Sequence, residues 1–200
     1  MAEIWLIRHG QTAWTLSKQH TGRRDIPMTD LGKRHAIEVG KFLNGKKFEK
    51  VLVSPLSRAL ETCRLAGYAE TAEITMDIAE WDYGKYEGLT PQEIRKQNPH
   101  WTIWTRGVPD GETLKDVEAR AERTIDSISK IQGDVAIFSH GHFLRIFASC
   151  WLGLSAETAR YLMLDTASLG ILGIENGVRV LKQWNIHIGN HFPSAKPDSK

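Results

Sequence analysis

The chain contains very little cysteine, and this scarcity excludes several classes of protein. Cys63 and Cys150 are the only two in 200 residues, and neither belongs to a CxxC or Cys/His spacing. The sequence therefore carries neither a disulfide framework nor a structural zinc motif, which favours a reducing compartment. The apolar run over residues 4–7 is too short for a signal-peptide core or a membrane span. We expect a cytoplasmic protein that has no membrane partner.

The net charge of the chain is also small. Lys and Arg number 26 against 24 Asp and Glu, a balance of +2 that gives no reason to expect a nucleic-acid partner. A composition of 41% hydrophobic and 25% charged residues is typical of globular proteins and excludes intrinsic disorder. No repeat or linker divides the chain, so we expect one domain over residues 1–192 and a polar tail over 193–200.

Short apolar runs alternate with helical patterns along the chain. Runs over residues 4–7, 48–53 and 135–138 predict buried strands. Helices are predicted between Thr29 and Gly45, from Ser54-Pro55 to Ala66, from Thr90-Pro91 to Asn98, and from Thr113 to about Ile131 before Gly133. Asn176-Gly177 predicts the type I′ turn of a terminal hairpin. This alternation predicts a three-layer α/β/α sandwich with a mostly parallel central sheet.

Charged and imidazole side chains follow the predicted strands. Arg8-His9 and His140 stand at strand ends, and Arg58 lies in the first turn of a helix. Ligands bind at the carboxyl ends of parallel strands, and Gly10 is expected to let the backbone approach one. Glu80 precedes a segment over residues 81–113, rich in Trp, Gly and Pro, that we expect to cover this edge. Two arginines and two histidines around one carboxylate suit a phosphoryl group. Each also has an ordinary alternative, such as a surface helix arginine or a solvated loop acid.

Six sequence blocks occur in a fixed order across most of the chain. They are Arg8-His9-Gly10-Gln11-Thr12 with Trp14, Thr21-Gly22, Ser54-Pro55-Leu56 with Arg58-Ala59 and Thr62, Glu80 with Gly84 and Glu87-Gly88, Gly111-Glu112-Thr113, and Ser139-His140-Gly141. This pattern resembles the histidine phosphatase superfamily, also called phosphoglycerate mutase-like. Three blocks are most similar to its sedoheptulose-bisphosphatase branch: Trp81-x-Tyr83-Gly84-x-Tyr86-Glu87-Gly88, His140-Gly141-His142-Phe143-Leu144-Arg145 and Leu164-Asp165-Thr166-Ala167.

The resemblance implies a role for each matching residue. His9 becomes the nucleophile that forms phosphohistidine, Arg8, Arg58 and His140 bind the transferring phosphoryl group, and Glu80 is the acid that protonates the leaving alcohol. The implied substrate contacts are Gln11, Thr15, Thr21, Gly22, Tyr83, Gly141 and His142. Thr15 stands where the family usually has Asn. The resemblance implies neither a metal nor a cofactor.

The expected function is a metal-independent phosphomonoesterase acting on small sugar phosphates or bisphosphates. A phosphoglycerate mutase-type transfer and a phospho-ligand binding module are the alternatives, and the oligomeric state stays open. His140-x-His142 is a minimal metal-like spacing without a supporting cluster. Candidates for binding a second phosphate are Lys85, Arg95, Lys96 and Arg106, and the histidines expected to have only surface or core roles are His20, His35, His100, His187 and His191.

Overall fold

A six-stranded sheet forms the centre of the computed structural model, which describes residues 2–188. Its strands are β1 (Ile4–Arg8), β2 (Lys50–Val53), β3 (Ala72–Ile74), β4 (Val135–Ser139), β5 (Leu169–Glu175) and β6 (Val178–Ile186). The order is β3-β2-β4-β1-β5-β6. The first four strands pair in parallel, whereas β5 runs antiparallel to both of its neighbours. The predicted, mostly parallel sheet is confirmed, and the predicted tail lies outside the described residues.

Helices cover both faces of the sheet. They are α1 (Ala13–Ser17), α2 (Asp30–Leu43), α3 (Ser57–Leu65), α4 (Pro91–Gln97), α5 (Ile103–Arg106), α6 (Leu114–Ile128) and α7 (Gly141–Trp151), with 3-10 turns at Ala69–Thr71, Met76–Ile78, Gly84–Tyr86 and Ala156–Tyr161. Successive strand side chains point to opposite faces. Leu6 and Ile137 pack with α6 and α7, while Ile7 and Phe138 pack with α2 and α3. The three-layer prediction is therefore confirmed.

Several local predictions hold in detail. The predicted helix starts at Thr90 and Thr113 are confirmed, and the structure shows that each threonine caps its helix in a capping box, with Glu93 and Asp116 respectively. Asn176 and Gly177 have φ of 50° and 80°, and two positive values in succession match the type I′ hairpin turn predicted there. Within residues 2–188, every helix is too short or too polar to cross a lipid bilayer.

Other boundaries differ from the prediction. Helix α3 begins at Ser57 after Leu56, which makes no side-chain cap, so Ser54 is not the cap residue. The Ser54 hydroxyl lies 2.7 Å from Nε2 of His140 instead. Strand β2 starts two residues later than expected, and α6 ends at Ile128, since the last turn before Gly133 is not helical. Helix α7 was not predicted, and most of its residues are buried.

The order of the strands positions the site. Strands β1 and β4 are adjacent and in parallel register, with Arg8 opposite Ser139. The residues that follow them, His9 and His140, therefore leave the sheet side by side. Arg58 comes from the helix after β2, and Glu80 follows β3. Four neighbouring parallel strands thus deliver the predicted catalytic residues to one edge.

Candidate active site

A cleft of about 720 Å³ opens at this edge of the sheet. Arg8, His9 and Glu80 line it. Behind the lining, the imidazole of His140 lies 5.1 Å from that of His9, centroid to centroid, and is fully buried, as is Arg58. The structure therefore brings all five predicted catalytic residues together, three on the cleft wall and two beneath it.

His9 is held as a neutral imidazole with one defined tautomer. Its Nδ1 lies 2.7 Å from the carbonyl oxygen of Gly10, and a carbonyl can only accept, so Nδ1 carries the proton. Burial holds the pKa of His9 well below its usual 6.5, and the charges of Arg58 and Arg8 lower it further. Nε2 is therefore left with a free electron pair, which a nucleophilic imidazole requires.

Arg8 reaches past Gly141 into the site. Its Nη1 donates to the carbonyl of Leu164 at 2.5 Å, while its Nε is buried without a hydrogen-bond partner in the described part of the chain. A Cβ on Gly141 would lie 3.1 Å from Arg8 Cζ. Gly141, predicted to contact substrate, therefore makes room for the guanidinium group.

Arg58 is a buried arginine that anchors a loop, so the surface-arginine alternative is wrong. Its Nη2 donates to the carbonyls of Thr21 and Gly22 at 3.0 Å each, and Nη1 donates to that of Arg24 at 3.1 Å. Its Nε, like that of Arg8, has no partner among residues 2–188. These bonds fix the guanidinium plane, so the Nε N–H is held in one direction before any ligand arrives.

His140 is a second neutral imidazole. Its Nε2 faces the Ser54 hydroxyl, and its Nδ1 is buried without a partner in the described residues. Burial lowers its pKa well below 6.5, with further lowering by Arg58, His9 and Arg8. When Ser54 donates to Nε2, Nδ1 carries the hydrogen and becomes a donor.

Glu80 is held by backbone amides, so the solvated-acid alternative is also wrong. Its Oε1 accepts from the N–H of Trp81 and that of Phe143, at 3.0 Å each. Its Oε2 accepts from the N–H of His142 at 3.1 Å. Two of these donors belong to the first turn of α7, whose N-cap residue makes no side-chain cap. Glu80 thus caps α7 from a distant segment, and α7 fixes the carboxyl group at the cleft wall.

Tyr83 and His142 form a neutral hydrogen-bonded pair on the cleft wall. Burial raises the pKa of Tyr83 well above 10 and lowers that of His142 well below 6.5. The Tyr83 hydroxyl and Nδ1 of His142 lie 2.5 Å apart, and the tautomer of the imidazole decides which of the two donates. Within the described ranges, no group of three or more His, Cys, Asp or Glu could hold a metal ion.

The other predicted substrate contacts divide into two groups. Thr15 and Thr21 line the cleft, but the Thr15 hydroxyl donates to the carbonyl of Thr12 at 2.9 Å. Gln11 and Gly22 are not among the lining residues. Oε1 of Gln11 accepts from the Thr29 hydroxyl at 2.9 Å, and a Cβ on Gly22 would lie 2.7 Å from the carbonyl oxygen of Trp81. A hydrogen bond thus accounts for the position of Gln11, and close packing accounts for the glycine at position 22.

Gly10 has a packing role, and the expectation that it lets the backbone approach a ligand stays a prediction. A Cβ there would lie 2.5 Å from the carbonyl oxygen of Gly32 and 2.6 Å from the sulfur of Met28. The glycine therefore lets the loop after β1 pack against α2, and this contact steadies the backbone beside His9.

The outer part of the cleft is aromatic and basic. Its wall includes Trp14, Trp101, Trp104, Tyr161, Arg95, Arg145 and Arg160. Of the four cations suggested for a second phosphate, Arg95 alone is on this wall. Lys85 pairs instead with Asp110, and Arg106 lines a separate pocket.

Arg145 is a cation of the cleft wall that the sequence reasoning did not single out as a site residue. Its Nε and Nη2 donate to the carbonyls of Ala159 and Arg160, and its guanidinium lies 4.8 Å from the ring centroid of Trp104. No carboxylate forms an ion pair with it within residues 2–188. Burial lowers its pKa to about 10, and Arg8 adds to this. Its position three residues after His142, on the same helix face, was the available signal.

Comparisons with known proteins agree with this geometry. The family model described as histidine phosphatase superfamily (branch 1) matches residues 4–187. An acid phosphatase of Mycobacterium tuberculosis is 42% identical over 183 residues, which cover 89% of this chain and 89% of that protein. Sedoheptulose 1,7-bisphosphatase of Saccharomyces cerevisiae is 33% identical over 185 residues, covering 76% and 68%. A solved open-reading-frame structure from Mycobacterium tuberculosis has a TM-score of 0.88 and 37% identity, over 93% of this chain and 98% of that one. The chain therefore belongs to the histidine phosphatase superfamily and is a phosphatase.

Proposed function

We propose that this phosphatase hydrolyses small sugar phosphates and bisphosphates through a phosphohistidine on His9. The observation that carries the proposal is a set of three buried nitrogen atoms that have no hydrogen-bond partner within residues 2–188, Nε of Arg8, Nε of Arg58 and Nδ1 of His140, beside a neutral imidazole. Buried polar groups are nearly always hydrogen-bonded. A phosphoryl group supplies acceptor oxygens that satisfy all three and brings its phosphorus to Nε2 of His9.

The first step transfers the phosphoryl group to the protein. Nε2 of His9 attacks phosphorus, a P–N bond forms, and the bond to the ester oxygen breaks. Arg8 and Arg58 spread the transition-state charge over fixed donors, as a metal ion does in other phosphoryl-transfer sites. The departing alkoxide takes a proton from the Glu80 carboxyl group, which lies on the same cleft wall.

The second step returns the site to its starting state. Glu80, now ionised, takes a proton from water as that water attacks the phosphohistidine. The P–N bond breaks, inorganic phosphate forms, and His9 is again neutral with its proton on Nδ1. Microscopic reversibility lets one carboxyl group serve as acid in the first step and base in the second.

A second anionic group on the substrate would meet Arg145. This guanidinium has no carboxylate partner in the described residues, and it stacks on Trp104 at the outer end of the cleft. Binding energy from a remote phosphate orients the reacting end, so the arrangement supports bisphosphates as preferred substrates. Arg95 and Arg160, on the same wall, add positive charge.

The experiment that tests the mechanism is a rapid acid or base quench with radiolabelled substrate. Wild-type protein should retain label that is stable in base and lost in acid, whereas His9→Asn should retain none and release no phosphate. His100→Asn, at an exposed site, is the matched control. Label in His9→Asn would contradict the nucleophile assignment. Label passed to added phosphoglycerate in preference to water would identify a mutase.

Bisphosphate preference has its own test. Arg145→Gln should lower kcat/KM for a sugar bisphosphate by roughly tenfold or more while changing the matching monophosphate little, since a charged hydrogen bond is lost only in the former. Arg179→Gln is the control, because Arg179 stacks on Trp151. In the wild-type protein, added salt should reduce the difference in kcat/KM between the bisphosphate and the monophosphate. Equal kcat/KM for mono- and bisphosphates would leave a broad-specificity phosphatase.

A further inference from the structure

His20 lies in the cleft wall beside the Tyr83–His142 pair. Its imidazole stacks on the ring of Tyr83, with centroids 4.6 Å apart, and meets Trp101 edge-on at 5.5 Å. His142 is 6.1 Å away. Backbone bonds to Leu89 and from Gly88 hold this part of the chain in place. The side chain is therefore fixed although it lies in a loop.

This histidine differs from the other three at the site in one respect. His9, His140 and His142 each have a hydrogen-bonded ring nitrogen. His20 makes no side-chain hydrogen bond to residues 2–188, and its Nε2 is buried. Only 8% of the residue is exposed. A buried polar group without a partner destabilises the fold, whereas phenylalanine could make the same ring contacts without that penalty.

The charge of His20 limits the kind of ligand it can bind. Burial lowers its pKa to about 4, and Arg95 contributes to this lowering. The rings around it, Tyr83 and His142, are also neutral. A neutral imidazole offers one donor and one acceptor, which matches an alcohol hydroxyl better than a phosphate.

We propose that His20 binds a hydroxyl group of the substrate in the cleft. The inference rests on the proposed function and assigns to it a residue that selects phosphate esters of sugars or other polyhydroxylated alcohols over esters without hydroxyl groups. Trp101, beside His20, offers the apolar face on which the C–H side of such a chain can pack. His20 is then a specificity-determining residue, and it takes no part in the transfer of the phosphoryl group.

Two substitutions and three substrates test this role. His20→Phe keeps the ring and removes both nitrogens, whereas His20→Gln keeps a donor and an acceptor. The substrates are sorbitol 6-phosphate, hexyl phosphate and p-nitrophenyl phosphate, of which only the first has hydroxyl groups along its chain. His100→Phe is the control on an exposed histidine.

His20→Phe should lower kcat/KM for sorbitol 6-phosphate by roughly tenfold to a hundredfold, the range for an unmet buried hydrogen bond. The other two substrates should change by less than about twofold, and His20→Gln should restore much of the loss. Equal losses on all three substrates, or no loss on sorbitol 6-phosphate, would overturn the proposal.

If neither variant folds, the wild-type protein decides. A kcat/KM at least tenfold higher for sorbitol 6-phosphate than for hexyl phosphate supports the proposal, and a ratio near one refutes it. The result would differ if the proposed function itself were wrong, because wild-type protein would then form no phosphohistidine with any of the three substrates.

Discussion

Replacing Glu80 by Gln perturbs the site in two separable ways. The amide cannot donate an acidic proton to a leaving alkoxide. It also places an NH2 group where one carboxylate oxygen now accepts from a backbone N–H, because Gln can retain the two bonds at Oε1 but not the third, to His142 at Oε2. One buried donor is left unpaired, which costs about 1–3 kcal/mol of stability.

The loss of the acidic proton should slow the reaction more for poor leaving groups than for good ones. The loss of the hydrogen bond should affect all substrates alike. Loss of a general acid lowers rates by about 10²–10⁴-fold when the leaving group is a sugar alkoxide. A nitrophenolate leaves without a proton, so its rate should fall only as far as the altered packing requires. The assay is kcat/KM over a series of phosphate monoesters of increasing leaving-group pKa, with a melting temperature for each variant.

Glu112→Gln is the matched control. Glu112 is also a partly buried carboxylate that accepts from a backbone N–H, that of Asp82, and it pairs with Arg120, but it does not line the cleft. It should lower the melting temperature without changing the dependence on leaving group. If Glu80→Gln lowers kcat/KM equally for aryl and sugar esters, the acid role of Glu80 is refuted. Glu80 would then serve only to cap α7.

Three further predictions follow from the electrostatics of the site. Arg58→Gln should lower kcat/KM by roughly 10²-fold or more, because a preorganised donor is lost, whereas Arg64→Gln on the exposed face of the same helix should not. EDTA should leave activity unchanged, since fixed guanidinium groups supply the positive charge; loss of activity restored by one metal ion would revive the metal hypothesis for His140-x-His142. The pKa of His9 is held below 6.5, so kcat/KM for p-nitrophenyl phosphate, whose leaving group needs no proton from Glu80, should stay level as pH falls from 8 past 6.5 and decline only below that; an acid limb centred at 6.5 would contradict the buried neutral imidazole.

The sequence predicts the site best where strand ends determine it. Buried strands at residues 4–7 and 135–138 can be recognised from short apolar runs, and parallel pairing then requires that His9 and His140 emerge at one edge. The resemblance adds Glu80 and Arg58, which local patterns alone leave ambiguous. Their burial depends on partners 34 to 63 residues away, and a single sequence does not display such contacts.

Other features escaped prediction for physical reasons. Eight of the 11 residues of the helix Gly141–Trp151 are buried, and a short, largely apolar segment that follows a buried strand cannot be assigned as helix or strand from its pattern alone. Ser54 precedes a proline in a typical capping pattern, but its hydroxyl binds His140. His20 resembles an ordinary loop histidine until the rings of Tyr83 and Trp101 are seen around it.

The unpartnered nitrogens of Arg8, Arg58 and His140 also bear on what happens after the reaction. Inorganic phosphate presents the same oxygens as the transferring group, so the product satisfies these atoms as well as the substrate does. Phosphate should therefore act as a competitive product inhibitor and stabilise the folded chain, by about 2.7 kcal/mol at a hundred times its dissociation constant. Product release must break these bonds before the next ester can enter.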